Sequence, residues 1–335
     1  MSRRPTALFA MDAPNLPLLF PPDLLARLRE LLDIDPACVV TDFGDPGPRA
    51  RLPEVEVLVT GWGCPPLDDR ALGALPRLRT VLHTGGTVKW LLPPESRARG
   101  LTVSSAAAQN ALPVAEYTLG MILLLGKGAF AAREHHGADR HRMPGPALGE
   151  VGNMGRRVGI IGASAVGRRV IELLRPFDFE VLLYDPYVDA AGARSLGVRK
   201  SGLDDLLAGS SIVSVHAPAT PETRRMIDAA RLALMPDGSS LINTARGSLV
   251  DTEALVRELA TGRLTAVLDV TDPEPLPADS PLFDLPNAIL TPHIAGSQGN
   301  ELRRLGAAVV DEAERLHTGA PLAHRVEFAR LDRTA

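Results

Sequence analysis

The feature that most constrains the fold of this chain is a regular alternation of short apolar runs with helix-length segments after residue 157. The runs begin at Val158, Val181, Ile212, Leu241, Ala266 and Ala288. Each run is apolar on consecutive positions, which is typical of parallel strands covered by helices on both faces. The pattern therefore predicts six buried parallel strands in a doubly wound α/β sheet.

The first hundred residues repeat this alternation less regularly. Strand candidates lie at Ala7–Ala10, Cys38–Thr41, Val55–Thr60, Thr80–His83 and Leu101–Ser104. A helix opens at Pro22, since the leucines that follow it recur on one helical face. A second α/β unit is therefore predicted, and 335 residues at about 150 per domain give about two domains.

Two further helices are predicted outside these sheets. Apolar residues recur at helical spacing over about Pro113–Leu125 and about Asn300–His317. The first of these stretches carries Glu116 and is shorter than the roughly 18 apolar residues that a membrane span requires. We therefore expect both helices to belong to a globular fold and to connect its two units.

The charge balance indicates which partners to expect. The chain has 36 Lys and Arg against 40 Asp and Glu, a net charge of −4, and neither sign is collected into a long run. A nucleic-acid surface or an anionic membrane surface is therefore not indicated. Small-molecule chemistry is the better hypothesis.

The cysteines and the first residues bear on location. Cys38 and Cys64 do not form a CxxC pair, so neither a disulfide framework nor a metal site is suggested. The apolar patch near the first residue is six residues long and is followed by proline, which is too short for a signal peptide. A cytoplasmic location is expected.

The loop after the Val158 strand has the pattern of a phosphate-binding turn. Gly162 and Gly167 flank it, and the next strand ends at Asp185. The first glycine permits a tight turn and the last permits close helix packing, so that free N–H groups at the helix start can hold a pyrophosphate. The βαβ unit is therefore interpreted as a Rossmann site for NAD.

Two residues refine this interpretation. Asp185 lies where a carboxylate binds the ribose hydroxyls and repels a 2′-phosphate, which favours NAD over NADP. Ser164 replaces the middle glycine of the usual GxGxxG, and its hydroxyl can still donate to a phosphate. A plain strand-to-helix turn is the alternative interpretation of an imperfect glycine pattern.

Three further segments follow in order along the chain. They are Asn243–Gly247 (NTARG), Leu268–Val270 with Glu274–Pro275, and Thr291–His293 (TPH). With these segments the sequence resembles the NAD-dependent D-2-hydroxyacid dehydrogenases. The resemblance runs from about residue 101 to 318, and more loosely over the first hundred residues.

The resemblance implies a domain organisation and an activity. Residues 1–105 together with 298–335 would form a flavodoxin-like α/β substrate domain, and residues 106–297 would form the NAD-binding Rossmann domain. The implied activity is hydride transfer between NAD(H) and a small D-2-hydroxy acid or 2-keto acid, as in glyoxylate or hydroxypyruvate reductases and phosphoglycerate dehydrogenases. A homodimer formed through the cofactor domain is also expected.

Arg246, Glu274 and His293 are the predicted catalytic residues. Reduction of a 2-keto acid needs a cation for the carboxylate and carbonyl, and a proton donor for the developing alkoxide. The planar guanidinium of Arg246 suits a carboxylate. His293 would donate the proton, while Glu274 would pair with its other ring nitrogen and favour the imidazolium. A surface ion-pairing arginine and a histidine satisfied in a domain interface are the structural alternatives.

The resemblance also implies a set of cofactor contacts. The turn after His216 is expected beside the adenine and ribose, and Asp269 near the nicotinamide carboxamide, although a strand-end cap is an alternative role for Asp269. The predicted cofactor-binding residues are Gly162, Ser164, Ala165, Val166, Gly167, Asp185, Ala217, Pro218, Thr223, Thr244, Ala245 and Asp269.

Substrate binding is assigned by the resemblance to a glycine-rich turn of the first domain and to the catalytic arginine. The predicted substrate-binding residues are Gly85, Gly86, Thr87 and Arg246. The turn departs from the usual GAGVDN of the family, because the segment from Val88 to Trp90 replaces the acidic stretch. Lys89 and Trp62 are further candidates for shaping the pocket.

Two other functions fit the same residues. One is an NADH-sensing binding protein, similar to the transcriptional co-repressors that resemble these dehydrogenases and keep comparable residues. The other is a different oxidation on this scaffold, such as that of phosphite. Formate oxidation is disfavoured, because enzymes of that kind place a glutamine ahead of the catalytic histidine, where this chain has Leu290–Pro292.

Overall fold

A computed structural model describes residues 3–45, 50–138, 140 and 151–333 of the chain. The chain divides into two compact units, one comprising residues up to 111 and from 297 onward, the other comprising residues 112–296. The resemblance implied that the domains divide after residue 105 and before residue 298. In the structure the first division lies six residues later, after residue 111, and the second lies one residue earlier, before residue 297.

The first unit contains a five-stranded parallel sheet. Its strands are β1 (Ala7–Ala10), β2 (Val39–Val40), β3 (Val57–Thr60), β4 (Thr80–His83) and β5 (Thr102–Ser105). They are arranged in the order β2-β1-β3-β4-β5. This is the order of flavodoxin-like sheets, so the prediction of a second α/β unit is confirmed.

Helices cover both faces of this sheet. The helices of the unit are Leu16–Leu19, Pro22–Leu31, Asp69–Ala74, Pro94–Ala98 and Leu302–Thr318, with short 3-10 helices at Ala13–Asn15, Leu52–Glu54, Gly299–Glu301 and Phe328–Arg333. Successive residues of β1 enter different cores, because Leu8 packs in one apolar cluster and Phe9 in the other. Consecutive apolar residues are therefore required, as the sequence pattern indicated.

The second unit contains a seven-stranded parallel sheet. Its strands are β6 (Arg157–Ile161), β7 (Glu180–Tyr184), β8 (Arg199–Lys200), β9 (Ile212–Val215), β10 (Ser240–Asn243), β11 (Thr265–Leu268) and β12 (Ala288–Leu290). The order is β12-β11-β10-β9-β6-β7-β8, so the chain reverses its direction of winding between β6 and β9. This is the doubly wound Rossmann order, and ligands bind such sheets at the carboxyl ends of the strands near the reversal.

The helices of the second unit lie in the connections between these strands, except for Ala129–Ala138, which precedes β6. They are Ala129–Ala138, Ala165–Leu174, Ala190–Ser195, Leu203–Gly209, Ala229–Leu234 and Thr252–Ala260, with 3-10 helices at Pro221–Thr223, Gly247–Leu249 and Pro281–Phe283. The helix Ala107–Gly126 includes the boundary between the two units. No single helix of the described residues is long and apolar enough to span a membrane, and only the bent pair Ala107–Gly126 and Ala129–Ala138 passes by length and composition.

Two predicted features of the fold were wrong. The sheet of the second unit has a seventh strand, Arg199–Lys200, which consists of two exposed charged residues and therefore leaves no apolar run in the sequence. The helix predicted from Pro113 begins at Ala107 and contains that proline in its interior. The residues ahead of the proline include three alanines and a glutamine, which favour helix strongly enough to extend it through a position where one N–H is missing.

Candidate active site

Arg246 is positioned by the turn that follows β10. The buried amide of Asn243 folds this turn, because its Nδ2 donates to the Arg246 carbonyl at 2.9 Å and its Oδ1 accepts from Ala245 N–H at 3.1 Å. The guanidinium donates one hydrogen bond, to the Ala245 carbonyl at 2.6 Å. No carboxylate of the described residues lies within 4.0 Å of it. Its other donors are therefore available to an anion.

Glu274 is brought near Arg246 by a close backbone contact. A Cβ on Gly247 would lie 2.0 Å from the carbonyl carbon of Thr271, so only glycine allows the two loops to meet. The Thr252 hydroxyl also donates to the Asp272 carbonyl at 2.8 Å. Burial lowers the pKa of Arg246, and the nearby Glu274 carboxylate opposes that shift. The Glu274 carboxylate is therefore close enough to the partly buried Arg246 guanidinium to stabilise its positive charge.

His293 bonds to the same carboxylate. Its Nδ1 lies 2.6 Å from Oε1 of Glu274. Since the carboxylate can only accept, Nδ1 carries the hydrogen, and Nε2 is the nitrogen left for proton exchange. Nε2 has no hydrogen-bond partner among the described residues, and the side chain is 53% exposed. Glu274 is therefore the shared neighbour of the two other predicted catalytic residues.

Asp269 holds the segment that carries His293. The residue is 2% exposed, and its two carboxylate oxygens accept from Ile294 N–H at 2.8 Å and Ala295 N–H at 2.9 Å. The Thr291 hydroxyl donates to Oδ1 at 2.6 Å. His293 lies between these partners with φ +55°, a conformation that L-residues rarely adopt. Asp269 was predicted as a cofactor contact, and the structure directs its carboxylate to the His293 segment.

Tyr117 extends this arrangement by one hydrogen bond. Its hydroxyl lies 2.8 Å from Oγ1 of Thr291. The single hydroxyl hydrogen of Thr291 is directed to the Asp269 carboxylate, so Tyr117 must be the donor in this pair. Burial raises the pKa of Tyr117, and the Asp269 charge raises it further. The phenol therefore stays protonated and able to donate.

The sequence analysis did not assign roles to Asn243, Tyr117 or Thr291. Asn243 and Thr291 stand inside the quoted NTARG and TPH segments, so the motifs were a usable signal for them. Tyr117 lies within the stretch that carries the resemblance, but the sequence did not indicate its pairing with Thr291, 174 residues away.

The predicted cofactor contacts Thr244 and Ala245 lie in the turn after β10. Thr244 is buried, with its hydroxyl 3.2 Å from that of Thr118, and Ala245 is half-buried.

The glycine loop after β6 leaves three N–H groups open. The N–H groups of Ser164, Ala165 and Val166 have no hydrogen-bond partner among the described residues. They lie at the start of the helix Ala165–Leu174, where the helix dipole favours an anion. The residues present therefore fit the pyrophosphate of a dinucleotide.

Both glycines of this loop are required by close contacts. Gly162 has φ +98°, and a Cβ there would lie 2.7 Å from Ala217 N. A Cβ on Gly167 would lie 2.0 Å from the Gly162 carbonyl oxygen. Ser164 is the N-cap of the helix, with φ −64° and ψ 178°, and its Oγ accepts from Gly167 N–H at 3.3 Å.

Asp185 ties the end of β7 to the glycine loop. Its Oδ2 accepts from Ala163 N–H at 2.7 Å, and its Oδ1 accepts from Tyr187 N–H at 2.8 Å. The carboxylate is half-buried, and each oxygen keeps further acceptor capacity. The structure thus fixes a negative charge beside the loop, at the position predicted to bind ribose.

The turn after β9 lies against the same loop. Ala217 is buried beside Gly162, and Pro218 is half-buried. The Thr223 hydroxyl donates to the Pro218 carbonyl at 2.7 Å and accepts from Thr220 N–H at 2.9 Å, so it holds the turn together. His216 is 3% exposed, and burial lowers its pKa to about 3.

The predicted substrate turn lies in the first unit, directly after β4. The N–H groups of Gly85, Gly86 and Thr87 have no hydrogen-bond partner among the described residues. Successive N–H groups that lack a partner in the protein can donate to an anion. Among the described residues, no group of three His, Cys, Asp or Glu side chains is arranged to hold a metal ion.

Comparison with known proteins decides the family. The model of the D-isomer specific 2-hydroxyacid dehydrogenase NAD binding domain matches residues 119–295, which is more than half of the chain. The chain belongs to the D-isomer specific 2-hydroxyacid dehydrogenase family. The family interpretation of the three sequence segments is thereby confirmed, and the second unit contains the NAD-binding domain of this family.

Relatives in this family differ in length. D-3-phosphoglycerate dehydrogenase from Mycobacterium bovis is 34% identical over 266 residues, which cover 78% of this chain and 49% of that protein. (S)-sulfolactate dehydrogenase from Chromohalobacter salexigens is 35% identical over 251 residues, covering 74% of this chain and 81% of that protein. The chain thus spans about half the length of the mycobacterial relative.

Solved structures of the family share the fold over nearly the whole chain. D-lactate dehydrogenase from Aquifex aeolicus, complexed with NAD and lactic acid, is 27% identical and covers 93% of this chain and 96% of its own, with a TM-score of 0.73. The Aquifex protein therefore supports the family membership of this chain.

Replacing Asp269 tests its role in this family member. Asp269→Asn exchanges one acceptor oxygen for an amide that cannot accept from a backbone N–H, so at least one of the two N–H groups loses its partner. We expect the free energy of unfolding to fall by about 2 kcal/mol, measured by urea denaturation. Asp272→Asn is the control, because Asp272 is half-buried and lies 3.8 Å from Arg224. A loss no larger than that of the control would contradict the role of Asp269.

Buried His216 predicts a pH dependence of stability. Because burial holds its pKa near 3 in the folded state, below the ordinary 6.5, the unfolded chain binds more protons between these values. Its contribution is fully present above pH 6.5 and is lost as the pH falls toward 3. We expect a loss of about 2 kcal/mol from pH 7 to 5. Urea unfolding of His216→Gln should show a smaller loss, whereas exposed His135→Gln should match the parent chain.

Proposed function

We propose that this protein is an NAD-linked dehydrogenase that interconverts a small 2-keto acid and the corresponding D-2-hydroxy acid. The observation that carries the proposal is the environment of Glu274, which bonds to His293 at 2.6 Å and acts electrostatically on Arg246. A guanidinium, an imidazole and a carboxylate are the groups that this reaction needs.

Each of these residues has a role in the proposed reaction. Bound NAD(H) supplies or accepts the hydride. In reduction, Nε2 of His293 donates a proton to the carbonyl oxygen of the substrate as that oxygen becomes an alkoxide, and in oxidation the neutral ring takes the proton back. Glu274 holds the ring through Nδ1 and balances its charge. Arg246 binds the carboxylate and polarises the carbonyl.

The two units receive different tasks under this proposal. The open N–H groups of Gly85, Gly86 and Thr87 support assignment of the first unit to the substrate carboxylate. The loop from Ser164 to Val166 supports assignment of the second unit to the cofactor. The predicted divisions at 105 and 298 stay predictions as functional boundaries.

Asp185 supports a preference for NAD. Its carboxylate is fixed beside the glycine loop by two backbone N–H groups, and the remaining acceptor capacity suits the two ribose hydroxyls. A 2′-phosphate would meet this negative charge at short range. The preference therefore follows from charge repulsion as well as from hydrogen bonding.

A homodimer formed through the second unit is also proposed. Its support is the helix Ala129–Ala138, which buries none of its own residues, and Leu124, which is 43% exposed. A second copy could cover this helix and would remove the exposed Leu124 side chain from water. The cytoplasmic location stays a prediction from composition.

The proposed activity is tested by NADH oxidation with a panel of small 2-keto acids. Turnover with at least one of them is expected. The co-repressor alternative predicts NADH binding without turnover, which fluorescence titration measures. The phosphite alternative predicts NAD reduction when phosphite is supplied, so a parallel assay in the oxidative direction separates it.

Arg246→Ala tests the assigned cation. Loss of both substrate alignment and charge stabilisation should lower kcat/KM by at least about 100-fold, or roughly 3 kcal/mol. Arg257→Ala is the matched control, since Arg257 is an exposed arginine on the helix Thr252–Ala260. Near-parental activity of Arg246→Ala would show that another residue carries this role.

Asp185→Ser tests the cofactor preference. Removal of the carboxylate should weaken NADH binding and strengthen NADPH binding, so that the ratio of their Kd values shifts toward NADPH by about 10-fold or more. The measurement is fluorescence titration of each cofactor. Asp189→Ser removes the same charge four residues away and keeps an N-cap side chain, so it should leave the ratio unchanged. An equal shift of the Kd ratio in both variants would show that the change in net charge, and not the position of Asp185, causes the shift.

A further inference from the structure

We propose that the substrate carries an uncharged, apolar or aromatic side chain, which packs against the exposed indole of Trp90 beside the turn at Gly85–Thr87. The inference rests on the proposed function, because it takes the open N–H groups of this turn as the site of the substrate carboxylate. It names the substrate class that this site accepts.

The His83 ring lies directly against the turn. His83 is the last residue of β4 and is 3% exposed. A Cβ on Gly85 would lie 2.5 Å from Nε2 of His83, so a glycine is required where the ring meets the backbone. The buried His83 ring therefore backs the turn and carries the exposed Trp90 beside it.

The orientation of this ring is fixed from the other side. Its Nδ1 lies 2.9 Å from Oγ1 of Thr60, the register partner of His83 on β3. Nε2 has no hydrogen-bond partner among the described residues. Nε2 is therefore the one polar atom of the ring that faces the turn without a partner among the described residues.

Trp90 adds apolar surface to the same place. Its ring centroid lies 6.1 Å from that of His83 in an edge-on arrangement of 74°. The indole is 42% exposed although it is among the largest apolar groups in the chain. Such exposed aromatic surface next to an anion site suits the apolar part of a ligand.

The second tryptophan lies at the same edge of the sheet. Trp62 follows the end of β3, is 40% exposed, and is the only other tryptophan of the chain. Because β3 and β4 are parallel neighbours, their carboxyl ends meet at one edge. Both tryptophans therefore lie where the first unit presents its ligand-binding turn.

Charge argues against a second anion on the substrate. Burial lowers the pKa of His83 to about 4, so its ring is neutral at pH 7. Lys89 is the only cation between residues 80 and 96, and it already has an interaction partner in the chain. A phosphate or sulfonate placed on the indole would lose hydration there, and among the side chains of this segment only Lys89 could offer it a counter-charge. An uncharged side chain avoids this cost.

The first test compares substrates with the unmodified protein. We expect kcat/KM for phenylpyruvate to exceed the values for 3-phosphohydroxypyruvate and 3-sulfopyruvate by at least about 10-fold. A higher value for either charged substrate overturns the inference and leaves the proposed function intact. Absence of turnover with every 2-keto acid of the panel overturns the proposed function and this inference with it.

The second test changes the exposed indole. Trp90→Lys introduces a cation, so the preference for phenylpyruvate over 3-phosphohydroxypyruvate should fall by about 10-fold or more. Trp90→Phe keeps an aromatic ring and should retain the preference. Leu234→Lys adds the same charge at a residue that is 41% exposed in the second unit, and the preference should not change. An unchanged preference in Trp90→Lys contradicts a role for Trp90 in substrate selection.

Discussion

The geometry of the segment that carries His293 depends on one buried carboxylate. Asp269 is cut off from water, and its charge is acceptable there only because two N–H groups and a hydroxyl donate to it. The same three hydrogen bonds hold both sides of His293, whose positive φ costs on the order of 1–3 kcal/mol. The segment therefore cannot relax without stranding a buried charge, and His293 keeps the orientation that Glu274 requires.

Both units contain a turn of the same kind, which has the features of an anion site. A parallel strand ends, a glycine turn follows, and three consecutive N–H groups remain unpaired, at Ser164–Val166 in one unit and at Gly85–Thr87 in the other. Unpaired N–H groups at the start of a helix or in a glycine turn are groups that commonly bind anions in proteins. In both turns, glycine is required where a Cβ would strike a neighbouring turn or ring. Similar turns thus serve a diphosphate and a carboxylate under the proposed function.

The sequence predicted backbone features better than side-chain contacts. The strands Ala7–Ala10 and Thr80–His83 were predicted with their observed bounds, because buried parallel strands need consecutive apolar residues. The charged strand Arg199–Lys200 was missed for the same reason. At the site, NTARG and TPH located Arg246 and His293. The hydrogen bond from Tyr117 to Thr291 joins residues far apart in the chain and follows only from packing.

Ser164 shows why a departure from GxGxxG need not abolish a dinucleotide site. Its φ of −64° and ψ of 178° are open to any residue, so the backbone of this loop does not require glycine there. The hydroxyl accepts from Gly167 N–H, which leaves its own hydrogen free to donate toward a phosphate. The three N–H groups from Ser164 to Val166 stay open beside it. A glycine at this position would leave more space for the ligand. The serine side chain occupies part of that space but adds a hydrogen-bond donor.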